Sequence, residues 1–94
     1  MGIQDTAKRM RELAENAKEN EREEVSVTFT PKDIKAVTGW DRTSARREMQ
    51  LGDELKSKGW GHRNPNGTFT VFSGDGWRSL SFSDAVNAEA ELHE

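Results

Sequence analysis

Arg42, Thr43, Ser44, Arg46, Arg47 and Gln50 crowd into one short stretch, "DRTSARREMQ" (residues 41–50). Their chemistry is that of nucleic-acid contact. The donors of an arginine fork match O6 and N7 of guanine, and a glutamine amide matches N6 and N7 of adenine. If the stretch is helical, Thr43, Arg46, Arg47 and Gln50 share one face at 100° per residue, a placement suited to base edges. Arg42 and Ser44, in the first turn, would reach phosphate. Lys32 and Lys35 upstream, and His62 and Arg63 downstream, could extend the phosphate contact. Phosphate contacts position a protein on a duplex, and base contacts supply sequence preference. The bland alternative is a solvated helix face, with Arg46 and Arg47 paired to Glu48, Gln50 or Glu54. Exposed pairs of that kind contribute about 0–1 kcal/mol.

Other chemistries have less to stand on. The chain has no cysteine and only two histidines, His62 and His93. The expectation is therefore no metal, no cofactor and no catalytic residue. Asp75, between Gly74 and Gly76, lacks further ligands at calcium spacing and reads as a plain turn. His62 has no partnered nucleophile or orienting carboxylate. Trp40, Trp60 and Trp77 could stack on unpaired bases. Burial at an elbow and at a hairpin base accounts better for Trp40 and Trp60; Trp77 stays open.

The charge distribution sharpens the first reading. The chain of 94 residues carries net charge -3. Residues 31–63 nevertheless hold eight basic against five acidic side chains, net +3, while residues 1–24 are net -2 and residues 64–94 net -4. Total charge argues against indiscriminate coating of nucleic acid. A local basic patch can still hold phosphates, because salt confines each charge to roughly 10 Å. The length suits a single domain over residues 1–94. The first residues, "MGIQDTAKRM", lack the apolar run of a signal peptide, and no stretch is long and apolar enough to span a membrane. A cytoplasmic protein without membrane contact is expected.

These residues need a frame. Residues 4–22 read as a helix, with Ile3, Ala7, Met10, Ala14 and Ala17 at steps of three and four and Leu13 beside them. "EEVSVTFTP" switches to period two, a strand burying Val25, Val27 and Phe29. Thr30 then caps a brief helix, about 31–38, with Pro31 at its first position and Asp33 completing a capping-box pattern. Gly39 can take the left-handed conformation that ends this helix, and Trp40 packs into the elbow. Asp41 is the expected cap of the next helix, about 42–58, which stops at Gly59. Ala45, Met49, Gly52 and Leu55 define its inner face, and Gly52 predicts close approach by another helix. "GWGHRNPNGTFTVF" reads as a hairpin turning at Asn64–Gly67. "WRSLSF" reads as a third strand or an extended stretch, and Ser83 would cap a last helix over about 84–93.

This order, with the motif "DIKAVTGWDRTSARREM" (residues 33–49) inside it, resembles the winged helix-turn-helix family over roughly residues 4–72. Lys35 stands where that motif carries alanine, and Trp40 replaces the usual Leu or Val; either could alter the crossing angle, or Lys35 could lift its amine to solvent over a buried stem. The resemblance implies an α+β fold, mainly α, with an added C-terminal helix in the extension 73–94. It places Ile34, Ala45 and Met49 in the core and Gly39 at the turn. It makes the helix opened by Asp41 a recognition helix for the major groove, and the hairpin over about 60–72 a wing on the backbone. The implied function is sequence-preferring binding of double-stranded DNA by a small transcriptional regulator of phage, plasmid or prokaryotic type. The rival is a protein-binding adaptor or inhibitor on the same scaffold, motivated by the acidic flanks and by "SGDGWRSL" after the wing. The two terminal helices could pack within one chain or across a homodimer, the expected assembly.

Overall fold

Alternation of Val25, Val27 and Phe29 with Ser26 and Thr28 puts three apolar side chains on one face of a strand, and all three are fully buried. The computed structural model describes residues 2–42, 44–74 and 78–93. Within them, β1 (Val25–Phe29) lies inside a four-stranded sheet with β2 (Gly61–Arg63), β3 (Phe69–Ser73) and β4 (Arg78–Ser81), in the order β2-β3-β1-β4. β1 is antiparallel to β3 and parallel to β4. Val27 stands opposite Val71 on one side and Leu80 on the other, and Phe29 faces Phe69. One sheet face is therefore apolar across three strands.

Four helices complete an α+β fold: α1 (Ile3–Glu21), α2 (Pro31–Thr38), α3 (Ala45–Ser57) and α4 (Phe82–Leu92). α1 packs on β1 and β3, α4 packs on β1 and β4, and α1 also meets each of the other helices. Ala7, Met10, Leu13, Ala14 and Ala17 are all buried, the stripe expected from their spacing. No described helix is long and apolar enough to cross a membrane.

The terminal helices meet within the chain. α1 and α4 pack on each other, with Ala85 and Ala88 buried on α4. A polar clamp closes the seam. Both terminal guanidinium nitrogens of Arg9 donate to the Glu89 carboxylate at 2.7 Å, and Asn16 adds a bond to it at 2.7 Å. The Arg9 hydrogen bonds, joined by the one from Asn16, hold the Glu89 carboxyl below its ordinary pKa against the opposing effect of burial. The same Glu89 bonds, helped by Glu12, raise the guanidinium.

Two boundaries differ from expectation, each for a physical reason. α3 is capped by Ser44, whose hydroxyl accepts from the Arg47 N–H at 3.2 Å, not by Asp41. Trp40 packs partly buried against the core, and the chain must carry it there before the helix can start. α4 is capped by Ser81 rather than Ser83, and begins at Phe82, whose ring lies 5.7 Å from that of Phe29. "RSLS" forms β4 and runs directly into α4. Trp77 and Asp75 lie outside the described residues.

Candidate nucleic-acid interface

The elbow leading into α3 is built as its residue types require. The Thr30 hydroxyl accepts from the Asp33 N–H at 3.2 Å, and the Asp33 carboxylate accepts from the Thr30 N–H at 2.9 Å. Gly39 ends α2 at φ +75°, where a side chain is disfavoured. Its N–H donates to Lys35 O at 2.8 Å. The Trp40 N–H then donates to the Thr38 hydroxyl at 3.1 Å, which fixes how the tryptophan leaves the turn. Lys32 and Lys35 are exposed on α2.

α3 is anchored through Leu51, Gly52 and Leu55, all buried. Ala45 is exposed and the Met49 residue is 60 % exposed, so neither belongs to the core as expected. Steps of three and four admit two overlapping stripes, and the chain uses the one containing Glu48. A carboxylate looks wrong on a buried stripe, yet the Glu48 side chain is only 17 % exposed and meets Arg63 at 3.5 Å. That partner on β2 is what lets the helix turn its Leu51–Leu55 side inward. Gly52 is close to a neighbour as predicted, but the neighbour is a strand. A Cβ on Gly52 would lie 2.9 Å from the Arg63 Cβ. At its far end α3 closes with Gly59 at φ +70°, and the Trp60 N–H returns to Leu55 O at 2.9 Å.

The roll of α3 decides which side chains face outward. Arg46 and Gln50 are exposed on the side opposite Leu51 and Leu55, joined there by Met49 and Asp53. Among the described residues Arg46 makes no ion pair. Arg47 is also exposed, but it sits toward the flank with its guanidinium 4.6 Å from the centre of the Trp40 ring. Arg42 and Ser44 are exposed in the approach to the helix, and the Ser44 hydroxyl serves as the cap. Thr43 lies outside the described residues.

The hairpin stands beside this ridge. Its tip follows the expected turn: the Gly67 N–H donates to Asn64 O at 3.0 Å, Gly67 adopts φ +86°, and the Asn64 N–H donates to Thr68 O at 2.7 Å. The Asn64 amide also donates to the Thr68 and Thr70 hydroxyls at 3.0 and 2.9 Å, tying the two arms together. His62 is exposed, with its ring 5.8 Å from Phe72. Arg63 is committed to Glu48 and to the surface of Gly52. Between α3 and the strands runs an open groove of about 600 Å³, walled by Met49, Asp53 and Lys56 on one side and His62, Arg63 and Phe72 on the other.

The fold thus gathers Arg46, Arg47, Gln50, His62 and Arg63 around one helix and one hairpin, with Lys32 and Lys35 on the helix before them. Met49, Asp53 and Lys56 were missed as site residues. Lys56 could have been found, since it follows Met49 by seven residues and shares its side of the helix. Met49 could not, because periodicity assigned it to the core. No protein-family model, curated protein or solved structure matches this chain.

Proposed function

We propose that this chain is a sequence-preferring double-stranded DNA-binding protein of the winged helix-turn-helix kind, acting as a cytoplasmic transcriptional regulator. α3 enters the major groove, and the hairpin of β2 and β3 lies along the neighbouring backbone. The observation that carries this reading is the solvent-open side of α3, where Arg46 and Gln50 project from a helix held on its other side by Leu51 and Leu55. The order helix, strand, helix, helix, hairpin supports it, as do the Gly39 elbow and the antiparallel pairing of β1 with β3.

Arg46, Arg47 and Gln50 read base edges, with Thr43 added from the sequence. Arg42, Lys32, Lys35 and His62 hold phosphates, while Ser44 and Arg63 act first on the protein itself, as cap and as partner of Glu48. Binding as a homodimer would use a surface other than the α1–α4 seam, which is filled within the chain. A protein-binding adaptor on the same scaffold is the second reading. It is favoured by Asp53 and Met49 on the α3 ridge, a mixed surface less basic than the sequence suggested. Truncating Arg46 and Arg47 together separates the two. Loss of duplex binding supports the first reading, and stoichiometric capture of a protein by a chain that ignores DNA supports the second.

A further inference from the structure

Met49 is the anomaly of α3. Among the described residues only Met49 and Val86 are large apolar side chains left exposed, and Met49, at 60 %, is the more open. Ala45, one turn earlier on the same side, is exposed as well. At about 100° per residue, the Ala45–Met49 strip runs directly beside the Arg46–Gln50 strip. The outward ridge therefore offers an apolar strip and a hydrogen-bonding strip side by side. Lone apolar residues on a surface are common. This one stands next to the two side chains best suited to base edges.

We propose that Ala45 and Met49 read the C5-methyl group of thymine, so that the preferred duplex carries thymine next to the base pairs contacted by Arg46 and Gln50. This inference rests on the DNA-binding reading and deepens it. In the major groove thymine is distinguished by that methyl, and an apolar side chain is its complement. Methionine suits the task because its unbranched thioether adapts to irregular apolar contacts. The strip is also too narrow for a protein partner on its own. It holds only Ala45 and Met49 before Lys56 follows on the same side of the helix, whereas a stable protein interface needs about 800 Å² per partner.

The test uses the full chain and a duplex enriched from a randomised pool by the wild-type protein. Each thymine is replaced in turn by deoxyuridine, which removes only the methyl. Wild type is expected to lose about threefold to fivefold in affinity at one or two positions, the effect of one buried methyl-sized group. Met49→Ala, on an exposed site where folding is checked by circular dichroism, should bind the thymine duplex more weakly and be indifferent to the uracil exchange. Its salt dependence should match wild type, since no charge is lost. Wild-type binding that is insensitive to uracil at every position overturns the methyl-reading strip alone. So does a Met49→Ala variant as sensitive as wild type. Failure of the wild type to bind any duplex overturns this inference together with the reading beneath it.

Discussion

Arg46 and Arg47 are neighbours in sequence and differ in what they do for the fold. Arg46 projects to solvent, so Arg46→Ala should leave thermal stability within about 0.5 kcal/mol of wild type, as surface changes usually do. Arg47 lies over the Trp40 ring at 4.6 Å. Losing that contact should cost roughly 0.5–1 kcal/mol, and Arg47→Lys should recover only part of it because a lysine lacks the planar face that stacks. Chemical denaturation followed by tryptophan emission checks both; equal stability of the two alanine variants would contradict the division of labour. Residue identity was legible here, but the roll of the helix was not. Glu48 concealed the true inner stripe, because its partner Arg63 is fifteen positions away in sequence and no local pattern announces the pair. Ala45 and Met49 filled the vacancy on paper because they obey the same spacing.

At the scale of elements, caps and turns were the most readable features. The Thr30–Asp33 box, Pro31, Gly39 and Gly59 act locally, so their residue types carry enough information. The Asn64–Gly67 turn is of the same kind. The start of α3 was not readable, since Asp41 and Ser44 are both good caps and tertiary packing of Trp40 chose between them. Ser44→Ala should therefore cost about 1 kcal/mol, and Asp41→Ala less than half of that. Urea denaturation of the two variants decides it, and the reverse order would move the helix start back to Asp41. The entry of β4 beside β1 was half visible: "WRSLSF" looked extended, but a parallel partner 53 positions back cannot be inferred from a short run.

Across the whole molecule, charge and architecture divide the labour. The basic central segment supplies α2, α3 and the first strand of the hairpin, while the acidic ends pair with each other through α1 and α4. The Arg9–Glu89–Asn16 clamp makes that seam sensitive to acid. Glu89 titrates lower in the fold than in the unfolded chain, chiefly through its bonds to Arg9. Its stabilisation is therefore complete above the unfolded carboxyl's pKa and is lost as pH falls through the lower, folded value. Thermal melts on moving into acid should show a decline that is smaller in Glu89→Gln, which should already be less stable at neutral pH by roughly 1–2 kcal/mol. An unchanged acid profile in that variant would remove Glu89 as the source.

The claim on which everything functional depends is that the open side of α3 meets duplex DNA. The most direct measurement is fluorescence anisotropy of a labelled duplex enriched from a random pool, titrated with wild type and with the Arg46→Ala, Arg47→Ala double variant at several salt concentrations. Major-groove contact predicts wild-type binding that weakens steadily with salt, and a double variant at least tenfold weaker that no longer prefers the enriched sequence over random duplex. Equal affinity of the two proteins, or no salt-dependent binding by either, would contradict it.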